Sequence, residues 1–291
     1  MHFKEIFFAK FFMVCATVSI VALLLIFAFL FANGLPAIGE IGWFRFITGR
    51  HWRPMDMPPA FGILPMIATS LYITIGAIVI GVPVGIFTAV FLAYMCPKWM
   101  YTFLKPAVNL LAGIPSVVYG FFGMIVIVPF VRQLSLRFTG GGSGASILAA
   151  MILLGIMILP TVINISESAI RAVSDTYYEG ALALGASHTR SVFFVVLPAA
   201  KSGVFASIIL GVGRAIGETM AVAMVAGNQA RIPTSIFQGA RSLTVNVFME
   251  MGYAAELHRD ALIATGIVLL VFILVINVIF TMVIRKGEQN A

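Results

Sequence analysis

The chain has 291 residues, of which 61% are hydrophobic and only 10% charged. Soluble domains carry about 25% charged residues, so the composition excludes a water-soluble fold and points to an all-α integral membrane protein. The net charge of +7 then reads as an orientation signal with membrane lipid as the contact, and no nucleic-acid partner is expected.

Charge-free apolar runs define six predicted transmembrane helices. The first covers residues 11–32 and ends at Asn33-Gly34. Lys4, Glu5 and Lys10 precede it, and its apolar core exceeds the roughly 7–15 residues of a signal-peptide h-region, so it reads as an uncleaved anchor. Residues 34–60 form a polar outer loop with Trp43, Trp52 and several prolines. The second span takes in residues 65–94. Its centre, "GVPVG" (81–85), has no polar turn, and an interior proline in a membrane helix kinks it more often than it ends it. The third span covers residues 106–131 and bends at "GIPS" (113–116). The fourth, fifth and sixth cover residues 146–170, 202–226 and 261–284. Residues 1–60 are thus an N-terminal anchor with a periplasmic loop, and residues 61–291 a five-helix core.

Six spans place both termini on one side. Nine Lys and Arg residues fall on that side and eight on the other, with Arg214 inside a span. The total barely discriminates, but all six lysines lie on the terminal side, which orients both termini to the cytoplasm. The eight outer arginines either draw anions toward an entrance or contact headgroups. "TGGGSG" (139–144) is a flexible outer turn. Cys15 and Cys96 make no disulfide framework, and His2, His51, His188 and His258 lack ligand spacing, so neither a metal nor a cofactor is expected.

The stretch between spans four and five reads "RAVSDTYYEGALALGASHTRSVFFVVLPAAK" (171–201). Ser174 or Asp175 suits a helix start. Gly180, Ala181, Ala183, Gly185 and Ala186 then offer small residues that let another surface approach the backbone, and Leu197-Pro198 ends the element before span five. A short helix lying on lipid is the simpler reading of such a segment. However, Glu179-Gly180-Ala181, then Gly185, then Val195, Leu197 and Pro198 match the spacing of the E-A-A…G…I-x-L-P pattern of permease subunits of ABC importers. This segment resembles that family's coupling helix, which implies docking on a separate ATPase subunit through Glu179, Gly180, Ala181 and Gly185. The chain lacks G-x-x-x-x-G-K-[ST] and cannot cradle ATP phosphates by that route. It is accordingly expected not to be an enzyme, and to rely on a dimer of ATPase subunits.

Span five contains "GVGRAIGETMAV" (211–222). Arg214 and Glu218 stand four residues apart, so a continuous helix sets them on one face as a pair. An arginine at the bilayer centre costs about 2.5–3.5 kcal/mol even on insertion scales, so that face is expected to turn toward a partner helix or a watery path. One reading is an ion pair that fixes helix register. The other is an anion relay, in which Arg214 presents donors to an oxyanion and Glu218 competes for Arg214 to release it. Gly213 and Gly217 fit G-x-x-x-G, a close-packing signal. Ser116, after Pro115, either lines the path or sits at a satisfied kink. Asn109 and Glu167 are expected to snorkel, and Asn164 and Asn277 to bond between helices.

"GVGRAIGETMAVAMVAGN" (211–228), "LAGIPSVVYGFFG" (111–123) and "FGILPMIATSLYIT" (61–74) resemble the PstC-type permeases of the bacterial phosphate importer. The sister PstA type usually has "GETAP" where this chain has "GETMA". The resemblance implies a MetI-like permease fold, phosphate as cargo, a PstA-type permease partner and an external phosphate-binding protein. Alternatives are a permease for molybdate, sulfate or phosphonate, an ATPase-independent transporter, and a scaffold subunit that moves nothing.

Overall fold

The computed structural model describes residues 2–289. The side chains of Lys4, Arg285 and Lys286, which enter the charge asymmetry, lie outside the described ones. In chain order the elements are α1 (His2–Ile41), α2 (Trp43–Thr48), β1 (Trp52–Arg53), β2 (Ala60–Phe61), α3 (Leu64–Val90), α4 (Lys98–Gly113), α5 (Ser116–Phe122), α6 (Val128–Thr139) and α7 (Ile147–Arg171). Then come α8 (Asp175–Ala183), α9 (His188–Ser191), α10 (Leu197–Ala199), α11 (Lys201–Gly217), α12 (Met220–Val225), α13 (Leu243–Glu250) and α14 (Glu256–Gln289). Among the described residues the regular structure is helical apart from a two-residue antiparallel ladder that pairs Trp52 with Phe61 and Arg53 with Ala60, and an isolated parallel bridge between Gly227 and Ala240.

Among the described residues five helices are long and apolar enough to cross a bilayer: Glu5–Ile41, Leu64–Met95, Ser116–Thr139, Ile147–Arg171 and Glu256–Ile279. A sixth results if His188–Ala199 and Lys201–Gly217, bent by 70°, count as one span. The bend falls at Ala200, two residues past Pro198. The backbone stays helical through Val196 and Leu197, so Pro198 lies in the last turn of the first arm, and the element ends at Ala199 before Lys201–Gly217 begins, as the Leu197-Pro198 pair leads one to expect.

The second predicted span is one helix, and Pro83 lies inside it. Its glycines have a packing reason. A Cβ on Gly81 would stand 2.6 Å from the Gly155 carbonyl oxygen and 2.7 Å from Ile158, and one on Gly85 2.7 Å from Val162. Together with Gly76 under Met151, these positions set α3 and α7 side by side and parallel. Ile73, Ala77, Leu153, Leu154 and Ile158 bury the apolar faces of the two helices in the main core.

The first span is longer than the sequence predicts: α1 continues through Asn33-Gly34 and Pro36 to Ile41. Gly34 permits the continuation to pack, because Ala264 and Ile267 of α14 press on its missing side chain. The rest of residues 34–60 is not open loop. Phe46 of α2, Trp52 and Phe61 are buried with Ile63, Met66, Leu243 and Leu262 in a second core that takes in the last turns of α1 and the first turns of α14.

The third span differs most. Lys98–Gly113 is a separate helix with no buried residue, and the membrane-length helix begins only at Ser116. Ile114 (φ −70°, ψ 126°) and Pro115 (φ −60°, ψ 144°) are both extended. Proline disfavours helical backbone in the residue before it, so the expected bend is a full interruption.

A candidate translocation site between two broken helices

The segment carrying Arg214 and Glu218 is interrupted as well. Helix α11 ends at Gly217, and Glu218 is extended (φ −71°, ψ 126°) before the six-residue α12. Span five is therefore not the continuous helix 202–226 expected from hydropathy. The four-residue spacing no longer puts the two charges on one face, and they form no ion pair. Instead the Glu218 carboxylate accepts Ala221 N–H at 3.2 Å and the Glu218 carbonyl accepts the Thr244 hydroxyl at 3.2 Å. These contacts satisfy groups that the helix break would leave bare. Among the described residues Arg214 makes no hydrogen bond and no ion pair. Its guanidinium is within electrostatic reach of Tyr119 on α5.

The Gly213/Gly217 signal is not used for packing within this chain: a Cβ at either would meet nothing within 4 Å. Gly211 is the glycine in contact, 3.2 Å from Val162. The surface beside Arg214 is left open.

The two breaks are neighbours. A Cβ on Gly120 of α5 would lie 3.1 Å from Ala221 of α12 and 2.6 Å from the Met224 sulfur, so the helices that follow the breaks pack closely. Tyr119, buried between them, donates its hydroxyl to the Leu111 carbonyl at 2.8 Å and bridges the Ile114-Pro115 interruption. Ser116 is the first residue of α5, half-buried and just past the break. Arg214, Glu218 and Ser116 are thus each at or near a helix end. Non-helical backbone at membrane depth is tolerated where it is buried in protein or lines a watery cavity.

The segment between spans four and five forms the expected helix, α8, with Ser174 at its N-cap position. Glu179 and Gly180 are exposed and Ala181 half-buried, and a Cβ on Gly180 would meet nothing. Gly185 stands at φ +85°, beyond the end of α8. There Ala186 N–H reaches the Ala181 carbonyl at 3.0 Å and Gly185 N–H the Leu182 carbonyl at 2.9 Å, a Schellman closure that favours glycine. Leu184, 91% exposed, projects from this turn.

Two ionic clusters escaped the sequence reading. At the C-terminal end of α7, Glu167 does not snorkel: its side chain is 2% exposed. It accepts Lys105 Nζ at 2.7 Å, the Tyr101 hydroxyl at 2.8 Å and Arg171 Nε at 2.9 Å. Lys105 also donates to Asn164 at 2.7 Å, so Asn164 does bond between helices. At the C-terminal end of α13, Glu250 accepts Trp52 Nε1 at 2.7 Å and an Arg241 N–H, with His258 Nε2 at 2.9 Å. The Glu167–Arg171 spacing was a signal available in the sequence. The second cluster joins residues up to 198 positions apart and leaves no such trace.

Residues 81–288 match the family described as "Binding-protein-dependent transport system inner membrane component". The probable ABC transporter permease protein YqgH of Bacillus subtilis is 38% identical over 93% of this chain and 86% of its own length. The phosphate transport system permease protein PstC of Mesorhizobium japonicum is 34% identical over 83% and 78%. The probable phosphate transport system permease protein PstC of Methanocaldococcus jannaschii is 31% identical over 94% and 91%. Among solved structures, an inward-facing MetNI methionine ABC transporter chain overlays with a TM-score of 0.53, covering 77% of this chain and 94% of that one at 20% identity. A chain with several apolar spans, paired helix breaks and an exposed helix between its fourth and fifth spans thus belongs to the family of inner-membrane permease components of binding-protein-dependent transport systems.

Proposed function

We propose that the chain is the PstC-type permease subunit of an ATP-driven phosphate importer. In this reading it forms half of the path with a PstA-type permease, docks one of a pair of ATPase subunits through α8, and receives cargo from an external phosphate-binding protein. Both termini face the cytoplasm. The names of the PstC relatives support phosphate as cargo.

The observation that carries the reading is Arg214: an arginine next to a helix break, without an ion-pair partner among the described residues. A buried ion pair of fixed register satisfies its arginine; an arginine meant for a passing anion keeps its donors free. Hydrogen bonds to charged groups contribute about 1.5–3 kcal/mol each, enough to hold an oxyanion briefly and still let it leave. Ser116 adds a hydroxyl at the neighbouring break. Glu218 has the releasing role. Its carboxylate caps α12 here, and in a conformer where that bond opens it competes with the anion for Arg214.

Labelled phosphate uptake by the reconstituted complex tests this. Arg214→Gln is expected to lower uptake about tenfold or more while the ATPase subunits still co-purify. Glu179→Ala is expected to weaken that co-purification. Uptake by Arg214→Gln at the wild-type rate overturns the role of Arg214.

A further inference from the structure

Helix α4 is an odd element in a packed membrane protein. None of its residues is buried. Extended residues bound it on both sides: Cys96 (ψ 125°) and Pro97 (ψ 146°) before it, Ile114 and Pro115 after it. Trp99, Phe103 and Leu110 point away from the body, each about two-thirds exposed or more. A rigid rod between two extended joints, with little apolar burial, takes its position from its polar contacts. Those contacts converge on the end of α7: Lys105 on Glu167 and Asn164, Tyr101 on Glu167, and Arg171 over the Tyr101 ring at 4.9 Å.

The same cluster reaches toward α8. Arg171 donates a second bond, 2.7 Å, to the carbonyl of Leu92. Leu92 lies in the π-type turn Phe91–Met95 at the end of the second span. In that turn Tyr94 packs its ring 5.3 Å from Tyr178 of α8, and the Tyr178 hydroxyl meets His188 at 2.6 Å. At its other end α4 leads into the Pro115 break, where Tyr119 grips the Leu111 carbonyl and lies near Arg214.

We infer that Lys105 and Glu167 are positioning residues for transport: their ion pair ties the hinged helix α4 to α7, so that displacement of α8 is passed to the Pro115 break beside Arg214. The inference rests on the proposed reading that α8 receives motion from an ATPase. As positioning residues their loss is expected to separate hydrolysis from transport rather than stop both.

The test measures phosphate uptake and ATP hydrolysis together in proteoliposomes holding the full complex. Lys105→Met leaves Glu167 paired with Arg171 and Tyr101, so α7 keeps its charge balance. It is expected to lower phosphate moved per ATP hydrolysed about fivefold, with hydrolysis within about twofold of wild type. Lys105→Arg restores the ratio. Tyr101→Phe, which removes one donor and no charge, lowers the ratio in the same direction by about twofold, and decides the matter if Lys105→Met does not assemble. An unchanged ratio in Lys105→Met and Tyr101→Phe, or uptake and hydrolysis falling in parallel, overturns the inference. A wild-type complex that hydrolyses ATP but accumulates no phosphate overturns the proposed cargo instead, and the ratio is then read with molybdate or sulfate.

Discussion

Ala186 N–H reaches back 3.0 Å to the Ala181 carbonyl, and it can do so because Gly185 between them adopts φ +85°. This closure gives the α8 turn one shape and aims Leu184 outward. A side chain in that backbone region costs about 1–2 kcal/mol. Gly185→Ala is therefore expected to distort the exposed turn without disturbing the spans. Co-purification of ATPase subunits should weaken severalfold while thermal unfolding of the permease in detergent is unchanged.

Gly180 gives the opposite expectation. It lies within α8 and a Cβ there meets nothing. Alanine is favoured over glycine in a helix interior by about 1 kcal/mol. Gly180→Ala should stabilise α8 and leave ATPase association intact or stronger, measured by the same co-purification.

Gly81 has no such room, since its Cβ would sit 2.6 Å from the Gly155 carbonyl oxygen, a backbone atom that cannot turn aside. Overpacking of this kind costs about 1–3 kcal/mol. Gly81→Ala is expected to lower the unfolding temperature in detergent by several degrees, with the loss appearing in stability before it appears in ATPase binding.

Arg214→Lys keeps the charge and removes the planar fork. If Arg214 serves only as a positive point, uptake is retained. If it bonds an oxyanion through two parallel donors, uptake falls about tenfold, since roughly one charge-assisted hydrogen bond is lost. The second outcome is expected, with phosphate uptake by the assembled complex as the measurement.

Glu250 is 6% exposed and is shared by Arg241, Trp52 and His258. Removing one partner of a buried ion pair costs about 3–5 kcal/mol because the other charge is left uncompensated. Glu250→Ala should destabilise the permease by about that amount. Trp52→Phe, which removes one bond to the carboxylate, should cost about 1.5–3 kcal/mol. Thermal unfolding in detergent ranks the two.

Much of this architecture is legible in the chain itself. Charge-free runs locate the spans because lipid tolerates few ions, and Pro83 is rightly kept inside a helix. Pro115 announces a bend, though not the full interruption or that α4 stands apart. The Glu179-to-Gly185 spacing marks α8. What escapes has a common cause. The break at Glu218 contains no proline; Gly217 before it is a weak helix former, but Gly211 and Gly213 stay inside α11, so glycine alone does not mark the end. The Thr244 hydroxyl, 26 positions away, donates to the freed carbonyl. The fourfold spacing of Arg214 and Glu218 assumed a helix that tertiary contacts interrupt. Glu167 looked like a residue stretching to water because its partners Tyr101 and Lys105 lie more than 60 positions away.

The glycine seam between α3 and α7 has a mechanical corollary. Met151 and Val162 of α7 rest over Gly76 and Gly85 of α3, and Ile80 of α3 over Gly155 of α7, so each helix carries pegs seated in notches of the other. Such a joint has no play for sliding, because packed interiors switch between discrete arrangements rather than deform smoothly. Any alternation between inward and outward openings must swing the two helices as one plank, and the bending is left to Ala200, Pro115 and Glu218, where the backbone is already unlaced.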